Sequence, residues 1–217
     1  MSDRDEGLVR ISAGGVTLEG NLLVPPGAPG IVLFAHGSGS SRFSSRNRTV
    51  AGELRNGGLG TLLIDLLTAE EERVDMRTAH LRFDIELLAR RLVGTTEWLG
   101  ANEGTSTMPV GLFGASTGGG AALVAAARLP DRIAAVVSRG GRPDLAGAAL
   151  PHVKAPTLLI VGGDDVPVIE MNREAYDQMT CERRMEIVPG ASHLFEEPGT
   201  LEAVAQLARE WFTRYLR

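Results

Sequence analysis

Ser116 lies in the run Gly114-Ala-Ser-Thr-Gly118, which joins an apolar stretch at residues 110–115 to an alanine-rich stretch that follows. A strand that turns so abruptly into a helix leaves room only for small residues two places either side of the serine. The serine itself is then forced toward positive φ at the apex, with its hydroxyl presented outward. A serine hydroxyl is a poor nucleophile until a base takes its proton, and a base needs an acceptor behind it to fix its tautomer. His193, in Gly190-Ala-Ser-His193, and Asp165, in Gly162-Gly-Asp-Asp165, each follow an apolar run and come in the order Ser, Asp, His. Asp164 and Asp144 compete with Asp165 for the acceptor role. Such a set attacks a carbonyl carbon, and its base titrates near neutrality.

Attack on a carbonyl also needs donors for the developing oxyanion. The N–H of Thr117, at the start of the helix, supplies one; the glycine-rich turn His36-Gly-Ser-Gly39 offers the N–H of Ser38 as the second, with Gly39 as the fallback. His36 reads as a brace for that turn, and His80 and His152 do not complete the required order. Competing chemistries have weaker signatures. No Gly-Lys-Ser/Thr closes a phosphate loop, and the four histidines and one cysteine lack metal-ligand spacing, so no metal is expected. Cys181 sits in a polar run before a strand, at the edge opposite the site. Arg42, Arg139 and Arg142 follow strands that end near the expected crevice, and at least one is expected to bind an anionic group on the substrate.

These groups converge only if the elements between them form a mainly parallel sheet, whose loops meet at the carboxyl edge. The pattern supports one. Residues 8–12 and 16–24 flank Ala13-Gly14-Gly15 as a hairpin, and buried strands are expected at 31–35, 61–65, 110–115, 133–137, 157–161 and 185–188. Helices are expected near 47–56, along an amphipathic segment at 78–99, after the serine, at 168–178 and at 201–215. Residues 1–7 read as a frayed polar end and Glu70-Glu-Glu72 as a solvated loop. A hairpin followed by strand–helix alternation predicts one α/β domain over residues 1–217, with eight strands, helices on both faces and no room for a helical cap.

A chain of 217 residues can bury a full core, and a net charge of −5 argues against general nucleic-acid binding. The charged start, the single cysteine and the lack of a long apolar run predict a cytoplasmic protein with no membrane partner.

Taken together, Gly114-Ala-Ser-Thr-Gly118, Gly162-Gly-Asp-Asp165, Gly190-Ala-Ser-His193 and His36-Gly-Ser-Gly39 resemble the α/β-hydrolase superfamily. The capless layout is most similar to its dienelactone-hydrolase-related branch, some members of which are fused or adjacent to phosphoribosyltransferase domains. Dienelactone hydrolases proper carry a cysteine at the elbow, whereas this chain has Ser116. The resemblance therefore implies a serine esterase or lactonase that cleaves a small-molecule ester or lactone through an acyl-enzyme without a cofactor. Acyl transfer on the same three residues, or a non-catalytic ligand- or partner-binding domain, are the alternatives.

Overall fold

The computed structural model describes residues 6–217. Its centre is an eight-stranded sheet in the order β1-β2-β4-β3-β5-β6-β7-β8. β1 (Gly7–Ala13) and β2 (Val16–Leu23) form the antiparallel hairpin, and β2 pairs antiparallel with β4 (Gly60–Ile64). From β4 through β3 (Ile31–Ala35), β5 (Val110–Ala115), β6 (Ile133–Arg139), β7 (Thr157–Gly162) and β8 (Arg183–Val188) every pairing is parallel. Because the chain leaves β3 for β4 on one side and later returns to β5 on the other, the strand order reverses at β3/β5. A crevice opens at the carboxyl ends of strands at such a point.

The central strands read as continuous apolar runs because both faces are covered. Along β3, Ile31, Leu33 and Ala35 enter one core layer while Val32 and Phe34 enter the other. The first layer is closed by α3 (Ile85–Ala101) and the alanine-rich α4 (Thr117–Arg128); the second by α1 (Ser45–Asn56) and α6 (Thr200–Tyr215), through Leu54, Val204, Ala208 and Phe212. Gly111 admits this packing, since a Cβ there would lie 2.6 Å from the Phe212 ring. The connection between β6 and β7 is a 3-10 stretch, Pro143–His152, and no cap domain covers the carboxyl edge among the described residues. α5 (Val166–Gln178) joins β7 to β8. No described helix is long and apolar enough to cross a membrane.

Three expectations are corrected. Residues 1–5 lie outside the described residues, but Gly7 is no frayed end: β1 starts there in register with Leu22, and the Glu6 carboxylate pairs with Arg55 and accepts from Asn21. Glu70-Glu-Glu72 is the first turn of a helix, α2 (Ala69–Thr78), capped by a reciprocal box between Thr68 and Glu71. The segment 78–99 is not one helix. Ala79 takes a left-handed conformation (φ 53°) that ends α2, a 3-10 turn follows at Leu81–Phe83, and the Asp84 side chain accepts from the Leu87 N–H to start α3 afresh. His80 consequently lies in the connection rather than inside a helix.

Candidate active site

Strand β5 runs into α4 through Ser116, whose φ of 51° and ψ of −122° put it in a sparsely populated region for a non-glycine residue. Neighbouring backbone holds it there. The Ser116 carbonyl accepts from the N–H groups of Gly119 (2.9 Å) and Arg142 (3.0 Å), and its own N–H donates to the Arg139 carbonyl at 3.2 Å. The glycines either side are sterically required: a Cβ on Gly114 would stand 2.6 Å from Gly119 Cα, and one on Gly118 would stand 2.6 Å from the His36 carbonyl oxygen.

The loop after β8 carries His193, and the loop after β7 carries Asp165. His193 Nδ1 lies 2.7 Å from Asp165 Oδ2. Asp165 is largely enclosed (side chain 14% exposed), so the bond is shielded more than a surface pair would be. With Nδ1 engaged, Nε2 is the ring nitrogen left to serve the cleft, of about 210 Å³, that His193 lines together with Ser116, Gly37, Ser38 and Ala115. No hydrogen bond between Ser116 Oγ and Nε2 is closed among the described residues, a contact that in enzymes of this chemistry often tightens only when substrate binds. The rival acids are elsewhere: Asp164 is exposed, and both Asp144 oxygens accept from the Arg142 guanidinium, at 2.9 and 2.7 Å.

The β3–α1 loop packs directly on the elbow, since a Cβ on Gly37 would lie 3.1 Å from Ser116 Cβ. This brings Ser38 beside the serine, while Thr117, at the first position of α4, has one of the N–H groups that a helix leaves without an internal partner. His36 ties the loop to the chain after β4. Its Nε2 accepts from the Leu66 N–H at 3.1 Å, which fixes Nδ1 as the protonated nitrogen, 2.9 Å from the Gly37 carbonyl. Burial lowers its pKa below the ordinary 6.5, partly offset by that carbonyl and by Asp65 and Glu72.

Of the three arginines singled out in the sequence, one reaches the cleft. Arg42 is held outside it by Asp65 and Glu19, with its Nε donating to Asn21 at 3.0 Å, and Arg142 is occupied by Asp144. Each of the two is held by a carboxylate and does not line the cleft of Ser116, although all three could have bordered it. Arg139, at the end of β6, lines the cleft with Ser116 and His193. Burial, with the charge of Arg46 nearby, lowers its pKa to about 10, so it stays protonated at neutral pH. The sequence reading missed Arg46 and Asn47, from the first turn of α1, as further lining residues; their position after the Ser44 cap was the available signal. Cys181 is remote, in the connection that enters β8 at its amino end, and burial raises its thiol pKa.

A model of the dienelactone hydrolase family matches residues 18–216. The chain belongs to the dienelactone hydrolase family. It is similar to a solved dienelactone hydrolase from Anabaena variabilis, with 68% identity, a TM-score of 0.96 and 98% of each chain covered. It also resembles in fold a Xanthomonas campestris protein described as a serine hydrolase without lid, at 18% identity, a TM-score of 0.77 and coverage of 100% of this chain and 97% of that one. A curated relative from Mycobacterium tuberculosis (strain H37Rv), named "Putative phosphoribosyl transferase", is 58% identical over 213 residues. That alignment takes in 98% of this chain and 47% of the relative, so the chain spans about half the length of the curated relatives it matches. Family and fold together support a hydrolase.

Proposed function

We propose that the chain is a serine hydrolase of small carboxylic esters or lactones, in which Ser116, His193 and Asp165 form the catalytic set. Ser116 Oγ attacks the carbonyl carbon while His193 Nε2 takes its proton. The Asp165 carboxylate holds Nδ1–H and stabilises the imidazolium, and the N–H groups of Ser38 and Thr117 take the oxyanion. As the tetrahedral adduct collapses, the proton passes from Nε2 to the leaving oxygen and an ester remains on Ser116. Water, deprotonated by the same nitrogen, then releases the acid and restores the serine. For a lactone the leaving oxygen stays tethered, and hydrolysis yields a hydroxy acid.

The observation that carries this reading is the 2.7 Å contact between His193 Nδ1 and Asp165 Oδ2 in the cleft that the strained Ser116 lines. We take the transferase name of the Mycobacterium relatives to refer to the part of those proteins that this chain does not span. Ser116→Ala should lower kcat by roughly 10⁴ to 10⁶ on whichever short ester or lactone a substrate panel selects. Turnover near wild type in a folded Ser116→Ala protein would remove the serine from the mechanism.

A further inference from the structure

Strand β8 is the last of the sheet, with β7 on one side and no strand on the other among the described residues. Alternate residues of a strand turn their backbone groups to opposite sides. The carbonyls of Glu182 and Val188 accept from the N–H groups of Thr157 and Gly163, at 2.9 and 2.8 Å, so the even-numbered residues serve β7. Arg183, Met185 and Ile187 therefore turn their N–H and C=O groups outward. Among the described residues, the one hydrogen bond to these outward groups is long, 3.4 Å from Tyr176 Oη to the Arg183 carbonyl. The strand is regular as well as open, since it keeps register with β7 from Arg183 to Val188 without a bulge and contains no proline. Such an edge is a template for another strand unless its side chains forbid pairing.

The side chains of β8 permit one self-pairing and oppose the registers beside it. Arg184 and Glu186 lie on the same face and pair with each other at 2.5 Å, with side chains 57% and 30% exposed. Laid antiparallel against itself about Met185, the strand sets Arg184 of each copy opposite Glu186 of the other, so the charges alternate in sign. Outward backbone then meets outward backbone, with Met185 facing Met185 and Arg183 facing Ile187. Ile187, an exposed apolar side chain, comes to lie under the aliphatic stem of that arginine. The nearest registers that also match outward groups are centred on Arg184 or on Glu186, and each sets like charges opposite one another. A shift by a single residue brings outward groups against groups that point back to β7, and no ladder forms. Charges on an edge strand deter pairing when they meet their like; here they select one register.

We propose that two copies of this chain associate through β8, antiparallel about a two-fold axis at Met185, into a dimer with one continuous sheet. The interface is isologous, each copy giving and receiving the same contacts. Met185 and Ile187 gain partners for their backbone groups, while Arg184 and Glu186 keep their own pair and each gains an opposite charge across the axis. No residue of the Ser116 cleft takes part, so the dimer stands apart from the hydrolase reading.

Sedimentation velocity of the full chain over a concentration series tests this. Wild type is expected to reach twice the mass of one chain as concentration rises. Arg184→Glu gathers only carboxylates at the axis and Glu186→Arg only guanidinium groups, so each variant alone should stay at the mass of one chain. An equimolar mixture of the two should regain the dimer, because each strand then complements the other, and so should the double variant Arg184→Glu/Glu186→Arg. Met185→Pro removes an outward N–H that β7 does not use, and should abolish association while circular dichroism shows the sheet intact. If that variant does not fold, the charge variants, at exposed edge positions, carry the test. A wild type that stays at single-chain mass throughout, single variants that still form dimers, or a mixture that fails to form them overturns the proposal.

Discussion

Asp165 Oδ2 and His193 Nδ1, 28 residues apart in sequence, meet at 2.7 Å across the gap between the β7 and β8 loops. The contact exists because β7 and β8 are adjacent and parallel, with Gly162 in register with Val188, so the two following loops leave the same edge side by side. Gly162 lets them close: a Cβ there would stand 2.6 Å from the Ser192 carbonyl oxygen. Asp165→Asn keeps the shape but favours the wrong imidazole tautomer, and kcat should fall by about 10⁴. Asp164→Asn, one residue away but exposed, should leave steady-state kinetics near wild type. Equal losses in the two variants would contradict the assignment.

Gly114→Ala and Gly118→Ala should each destabilise the chain by about 3 kcal/mol or more, because the methyl groups meet backbone atoms that cannot swing aside. Urea unfolding midpoints measure this. Midpoints equal to wild type would mean that the elbow is looser than its packing indicates.

The strands were legible because parallel strands buried on both faces are apolar throughout, and β3 was read with the bounds it has. The positions of Ser116 and Asp165 at the carboxyl ends of β5 and β7 were legible because both strands are fully buried, whereas β8, before His193, is a partly buried edge strand that carries charged residues, and His193 was singled out by the order Ser, Asp, His. What stayed hidden depended on partners distant in the chain or on caps within polar sequence. Arg42 meets Asp65 and Glu19 only after β2 and β4 pair, so its sequence position beside the glycine-rich turn was misleading. The helix α2 is polar nearly throughout and buries only Asp75, which gave no apolar stripe to read. Its stability comes from the cap and from the Asp75 carboxylate, which accepts from Arg82 Nε at 2.5 Å and from the Leu81 N–H at 2.7 Å.

Arg91 links α2 to the β1–β2 hairpin. Its guanidinium donates to the Ala13 and Gly14 carbonyls at 3.1 and 2.8 Å and pairs with Glu71 at 2.7 Å, and its side chain is 4% exposed. Arg91→Ala strands three acceptors, two of them on backbone, and should cost about 3 kcal/mol. Thermal unfolding of Arg91→Ala, Glu71→Gln and the double variant separates the ion pair from the carbonyl contacts. Independent, additive losses would show that the pair itself contributes nothing.

His36 makes stability pH-dependent. Its folded-state pKa is depressed below the ordinary 6.5, so as pH falls through that value the unfolded chain takes up a proton that the folded chain refuses. The associated stability is present above about pH 6.5 and declines below it, down to the lowered folded value. His36→Asn retains an acceptor for the Leu66 N–H but has no titrating ring, and Tm between pH 7 and pH 5 should fall less steeply than in wild type. Identical slopes would show that the imidazole does not titrate on unfolding.

The most direct trial of the whole account is intact and peptide mass spectrometry after treatment with a fluorophosphonate, which reacts only with an activated hydroxyl. One phosphonyl adduct on Ser116, absent in Ser116→Ala and formed far more slowly in His193→Ala, is the predicted result. An unmodified Ser116 in folded wild-type protein, or labelling at the same rate without His193, would contradict the claim that these side chains act as one nucleophilic unit.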